Sequence, residues 1–297
     1  MLNKLIASIL PIFPKSFIRI FANKYIAGET IDDAVRVVKE LNIKNIMATI
    51  DVLGEDVFTK EEALSALNDC KNVLKTINEH NLNSNLSVKL TQLGLKIDFD
   101  FCYNNLKELL ELAKSLNNFV RIDMEDSSTT DDTINLYEKL RKEYSNVGIV
   151  LQAYLKRTYK DAERIITFGP HFRLCKGIYN EDASIAYKKH DEINENYLKI
   201  LRFMLSNKAY VGIATHDDYL ITSSKKMIEE LHLNNDEYEF QMLLGVKPEL
   251  RDSLAKAGYR VRVYVPYGTH WYKYSLRRLK ENPKMTGYII KSIFFKG

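Results

Sequence analysis

Cysteine is almost missing from this chain: Cys70, Cys102 and Cys175 are the only three in 297 residues. Their odd number and wide spacing argue against a disulfide framework or a Cys-rich zinc site, and fit a reducing compartment. Glycine (12) and proline (6) are also scarce, so no linker-like stretch divides the chain. No two glycines stand two apart and no GxxxxGK[ST] loop occurs, which disfavours a classical Rossmann or P-loop nucleotide site. The six histidines form neither HxH nor HExxH, so a metal-dependent hydrolase is weakly supported and no metal is expected. The 43 Lys+Arg nearly balance 39 Asp+Glu, and a net charge of +4 does not argue for nucleic acid.

Long apolar runs are lacking too. Leu5 to Phe13 follows Lys4 in the manner of a signal peptide, but Pro11, Pro14 and Lys15 interrupt it and no small-x-small site follows. It falls short of the roughly 20 residues that span a bilayer. A short packing segment is the preferred reading. The other end places Ile289, Ile290, Ile293, Phe294 and Phe295 beside Lys291 and Lys296. Such a tail either packs with its lysines outward or lies on an anionic membrane surface.

What the chain has is a repeated pattern. Short β-rich runs alternate with longer amphipathic stretches. The runs are Asn45–Asp51, Leu86–Leu90, Phe119–Asp123, Gly148–Ala153, Phe172–Lys176, Tyr210–Thr215, Tyr238–Leu243 and Arg260–Val265. They recur about every 31 residues, the size of a βα unit. Helices are expected at Lys60–Glu79, Asn105–Leu116, Asp131–Tyr144 and Glu181–Leu205, with an extra one at Thr30–Leu41 capped by Thr30. The pattern predicts an α/β chain folded as a single (βα)8 TIM-type barrel. An N-terminal helical segment over about 1–43, a barrel over 44–283 and a tail over 284–297 account for the length. An open doubly wound sheet is the alternative, and the missing phosphate glycines count against it.

In a barrel the carboxyl ends of the strands form the active face. Here those ends carry Asp51, Lys89, Asp123, Gln152, Arg173, Lys176, Thr215, His216, Glu239, Gln241 and Tyr264, and Pro266-Tyr267-Gly268 is expected to turn the chain. Lys89, Asp123 and Arg173 are costly to bury unless paired, which an ion-pair network at the barrel mouth would solve. After the last strand, Tyr274, Arg277 and Arg278 share one helical face. Two guanidiniums beside a phenol suit a carboxylate, although a solvated basic helix would read the same way locally.

Seven segments together resemble the proline dehydrogenase family. They are SVKLTQLG (87–94), RIDMED (121–126), LQAYLKRT (151–158), RLCKGIY (173–179), ATHD (214–217), EFQMLLG (239–245) and YVPYGTHWYKYSLRRLKEN (264–282), with AGET (27–30) ahead of them. The resemblance covers about two-thirds of the chain and is closest in length to the family's single-activity form. It implies a distorted (βα)8 barrel holding FAD noncovalently and oxidising L-proline to 1-pyrroline-5-carboxylate. It implies catalytic roles for Asp123 and Arg173, with Arg173 near the reactive flavin nitrogen N5 and Asp123 paired to an arginine. Met124, Gln152, Lys176, Gly177, Ile178, Thr215 and His216 are then expected to bind FAD. Lys89, Arg277 and Arg278 are expected to hold the substrate carboxylate, and Leu243, Tyr264 and Tyr274 to wall the ring. A membrane quinone as electron acceptor follows, and with it a cytoplasmic protein in peripheral contact with the inner face of the membrane. Two positions depart from the family's habit: Ile178 stands where Ala is usual, and Asp217 where Asn is common. Rival readings are another flavin barrel of the folate-reducing type, a metal-dependent barrel hydrolase, and a noncatalytic small-ligand binder.

Overall fold

The structure, a computed structural model, describes residues 18–19, 22–272 and 274–276. Eight parallel strands close into a barrel in sequence order: β1 (Met47–Val52), β2 (Ser84–Val88), β3 (Val120–Ile122), β4 (Val147–Gln152), β5 (His171–Cys175), β6 (Tyr210–Ala214), β7 (Tyr238–Leu243) and β8 (Val261–Tyr267). Closure leaves no unpaired sheet edge. Helices α1 (Ile31–Ile43), α2 (Lys60–Glu79), α3 (Phe99–Ser115), α4 (Thr130–Arg141), α5 (Thr158–Ile165), α6 (His190–Ser206), α7 (Asp218–Glu230) and α8 (Pro248–Lys256) accompany them. The expected α/β barrel is therefore the observed fold, and β7 and α2 have the expected bounds.

Alternation along the strands builds the layers. One set of side chains, such as Ile50, Leu86, Val120, Phe172, Ile213 and Val263, belongs to the main apolar core and is fully or almost fully buried. Each such side chain contributes roughly 1.5–3 kcal/mol by leaving water. The helix starts are written locally. Thr30 and Asp33 form a capping box on α1, and Thr59 with Glu62 does the same on α2. Each cap is worth about 1 kcal/mol.

Three expectations are corrected. The helix expected from Glu181 begins only at His190, because the preceding loop is held in another pairing: Ala186 bridges Leu155, and Asp182 bonds the Ser184 amide. Pro266 and Tyr267 do not turn the chain but continue β8, in register with Asp51 and Val52. Lys89 lies one residue beyond β2 rather than within it. The expected helix after β8 is seen in part, with Trp271, Tyr272 and residues 274–276 helical.

The segment before α1 runs past the carboxyl end of β8. Ala27 N donates to Pro266 O at 2.9 Å, and Gly268 N to Gly28 O at 3.0 Å. Ile18, Ala22, Tyr25 and Ile26 pack there with Leu53, Trp271 and Tyr274 in a small separate core. Residues 1–17, which include the N-terminal apolar run, and the basic tail lie outside the described residues. Among the described residues, no helix is long and apolar enough to cross a membrane.

Candidate active site

The second set of strand side chains fills the barrel lumen with polar groups, where aliphatic layers are usual. Near the carboxyl ends they form two ion pairs. Lys89 Nζ donates to Asp51 Oδ1 at 2.6 Å, and both residues are buried. Arg173 NH1 donates to Asp123 Oδ1 at 2.7 Å. Ser87 Oγ also donates to Asp123 Oδ1 at 2.7 Å, and the Tyr264 hydroxyl to Oδ2 at 2.8 Å. The Arg173 guanidinium lies over the Tyr264 ring, 5.2 Å from its centroid. Its Nε donates to Gln241 Oε1 at 2.5 Å. One tyrosine, two basic groups and two carboxylates from five different strands or strand ends thus form a fixed cluster.

Burial sets the electrostatics of this cluster. It pushes the Asp51 carboxyl above the usual range against the pull of Lys89. Burial also disfavours the Lys89 ammonium, but Asp51 and Asp123 more than offset it and hold Lys89 protonated. The Tyr264 phenol is pushed well above its ordinary value by burial and by the Asp123 and Asp51 charges, so it remains a donor.

A cavity of about 1290 Å³ opens above the cluster. That exceeds the roughly 300–1,000 Å³ of a drug-sized pocket. Every described residue of the expected site lines it: Lys89, Asp123, Met124, Gln152, Arg173, Lys176, Gly177, Ile178, Thr215, His216, Leu243, Tyr264 and Tyr274. Arg277 and Arg278 lie outside the described residues. Gln152 Nε2 donates to Met124 O at 3.0 Å, while its Oε1 is buried with no hydrogen-bond partner among the described residues. Gly177 has φ +103°, and a Cβ there would sit 2.0 Å from the Tyr154 ring, so only glycine lets the backbone pass. Ile178 is exposed at the cavity wall. His216 Nε2 accepts the Leu243 amide at 2.9 Å, which places its proton on Nδ1.

Asp217 caps α7, its Oδ1 accepting from the Tyr219 and Leu220 amides, while Oδ2 takes Lys176 Nζ at 2.6 Å. Burial alone would raise its pKa, but Lys176 and those amides hold it at about 2. Lys176 is thereby held in an ion pair at the cavity edge.

Other lining residues carried no clear signal in the sequence. Leu53 to Phe58, the loop after β1, has no periodicity, and Glu29 comes from the segment before α1. Glu29 accepts from Trp271 Nε1 at 2.8 Å and from Arg19, which ties that segment to the helical turn bearing Tyr274. Asp51 and Gln241 were legible as polar strand residues, but their partners were not.

Comparison with known proteins is consistent across sequence and fold. The proline dehydrogenase family profile matches residues 34–289. Proline dehydrogenase 1 of Bacillus subtilis (strain 168) is 39% identical over 278 residues, covering 94% of this chain and 92% of that protein. Proline dehydrogenase 2 of the same strain is 40% identical over 275 residues, covering 93% and 91%. A crystal structure of proline utilization A (PutA) from Bdellovibrio bacteriovorus, inactivated by N-propargylglycine, superposes with a TM-score of 0.82 at 25% identity. It covers 92% of this chain, which spans 34% of that longer one. On these matches and on the closed parallel barrel, the chain belongs to the proline dehydrogenase family.

Proposed function

We propose that this chain oxidises L-proline to 1-pyrroline-5-carboxylate with bound FAD and passes the electrons to a membrane quinone. The observation that carries this reading is the pair of buried cations, Lys89 and Arg173, each fixed by its own carboxylate at the floor of one cavity. That cavity is much larger than proline needs, so it has room for a cofactor as well.

The residues fit a flavin dinucleotide. The orphan Gln152 Oε1 is an acceptor for a ring N–H. The close backbone approach at Gly177, beside the Lys176 ammonium, suits a pyrophosphate. Thr215, His216, Met124 and Ile178 complete the lining. When bound, FAD accepts the hydride that leaves the substrate carbon next to nitrogen.

The chain's own groups do the rest. Lys89, with Arg277 and Arg278, holds the substrate carboxylate and so aims the opposite edge of the ring. Leu243, Tyr264 and Tyr274 exclude bulkier or acyclic amino acids by shape. Arg173 stabilises negative charge that develops on the cofactor side. The substrate amine must be neutral for its lone pair to assist hydride loss. Asp123 is a poor base for that proton, because Ser87, Arg173 and Tyr264 already occupy its oxygens. It works by locking Arg173 and Tyr264 in place, and solvent takes the proton.

The test is direct. The purified protein should be yellow and should bleach when proline is added without oxygen. A protein that takes up no FAD, or whose bound flavin ignores proline, defeats the reading. The basic, apolar tail suits docking to the inner face of the cytoplasmic membrane. Liposome flotation of the full chain against one ending at Pro283 checks that part, and equal flotation rules it out.

A further inference from the structure

Below the cavity floor, the lumen continues into groups that the proposed reaction does not use. Glu239 in β7 is 1% exposed. Arg262 donates to it twice, Nε to Oε1 at 2.7 Å and NH2 to Oε2 at 3.1 Å. The Tyr210 hydroxyl donates to Oε2 at 2.8 Å, and Gln241 Nε2 to Oε1 at 2.5 Å. Gln241 lies two residues along the same strand, so it faces the same way. Its other end, Oε1, accepts from Arg173 Nε at 2.5 Å.

This chain has a direction. An ionised carboxylate only accepts, so the end of Gln241 that meets Glu239 must be its NH2. The carbonyl then has to face Arg173. An amide's two ends are nearly the same size, and only its partners set which way it points. Burial works against the Glu239 charge, but Arg262, Tyr210 and Gln241 outweigh it and hold the pKa at about 2. The neighbouring strand makes room: a Cβ on Gly212 would sit 2.3 Å from Gln241 Nε2. Arg173 is thereby gripped from two sides, Asp123 on NH1 and Gln241 on Nε, which fixes the plane of its fork.

We infer that Glu239 is a positioning residue for Arg173, acting through the amide orientation it imposes on Gln241. This rests on the proposed role of Arg173 beside the flavin. The experiment compares Glu239→Gln, Gln241→Met, the double exchange Glu239→Gln/Gln241→Glu, and Arg173→Gln as reference, all as FAD-loaded protein. The readouts are proline kcat and KM separately, the reduction potential of the bound flavin, and the melting temperature. Glu239→Gln should lower kcat about tenfold, leave KM within about twofold, and lower the flavin potential. The double exchange returns an acceptor to Arg173 but leaves Arg262 facing an amide. It should recover kcat to within about threefold of the parent and return the flavin potential towards the parent value, while the melting temperature stays low.

A double variant no better than Glu239→Gln in kcat and potential overturns the inference, since Glu239 would then serve only Arg262. Should Glu239→Gln fail to fold, Gln241→Met decides. It keeps the Glu239–Arg262 pair and removes only the relay, so an unchanged kcat and potential there also overturns the inference. If Arg173→Gln itself alters neither kcat nor potential, the reading of Arg173 fails, and that failure is distinct from one confined to Glu239 and Gln241.

Discussion

Lys89–Asp51 at the cavity floor and Arg262–Glu239 beneath it are both buried ion pairs, with shortest N···O distances of 2.6 and 2.7 Å. Their surroundings differ. Glu239 accepts from an arginine twice, a tyrosine and a glutamine, and both its oxygens are occupied. Asp51 has Lys89 on Oδ1, while its buried Oδ2 has no hydrogen-bond partner among the described residues. The consequence is opposite in sign: Glu239 is pulled down to about 2, and Asp51 is pushed up. A saturated pair closes the lumen as a plug. An undersaturated pair beside a cavity keeps hydrogen-bonding capacity that a ligand can meet. The same residue types thus form a saturated framework at one level and an undersaturated pair lining the cavity at the next.

The largest effect should come from breaking the upper pair. Lys89→Met should lower kcat/KM for proline about 10²–10³-fold, as expected for a charged group that meets the substrate. That corresponds to roughly 3–4 kcal/mol of transition-state stabilisation. Urea unfolding should change less than this, because Asp51 is already biased towards its neutral form and can take a proton when its partner goes. A variant with normal proline kinetics would return Lys89 to the framework.

Breaking the lower pair should reverse the balance. Arg262→Met leaves the Glu239 carboxylate buried without its cation, which should cost about 3 kcal/mol or more of folding stability in urea. The proline KM should stay within about twofold, since Arg262 does not line the cavity. A large KM change with little loss of stability would erase the distinction between the two levels.

Much of this division was legible in the sequence, and the rest was not, for physical reasons. β7 and α2 could be read because polar–apolar alternation and apolar residues at helical spacing are local signals. Lys89, Asp123 and Arg173 stood out because charged groups at strand ends demand partners. Which partner each takes depends on register across the barrel, as with Asp51 beside Ser87 in the β1–β2 pairing, and no local pattern encodes that. Charged residues at 181–189 imitated a helix, while a bridge to Leu155 claimed the segment for a loop. Pro266 looked like a stop, yet the β8 strand continues through it beside β1.

At the cavity rim the expected effect is smaller. Gly177→Ala imposes φ +103° on a residue with a Cβ and drives that Cβ against Tyr154. A strain of about 1–3 kcal/mol is typical of such a backbone. The melting temperature should fall modestly and the flavin-to-protein absorbance ratio should drop. Full flavin content would mean that this turn does not meet the cofactor.

The smallest and sharpest contrast is in acid. Glu239 is held at about 2 against an ordinary 4.5, so its contribution to stability is complete above about pH 4.5. As pH falls from there towards 2, the unfolded chain takes up a proton that the folded chain refuses, and that contribution drains away. Between pH 5 and 3 this is on the order of 2 kcal/mol. Asp51 behaves oppositely, because its raised pKa means that the folded chain binds a proton more readily, so acidification relieves a cost. Melting curves at pH 5 and pH 3 should therefore show a smaller drop for Glu239→Gln than for the parent, and a larger drop for Asp51→Asn. Equal drops in the two variants would mean that the two ends of the lumen are electrostatically alike, and the saturated plug and the ligand-ready floor would no longer be separable on this ground.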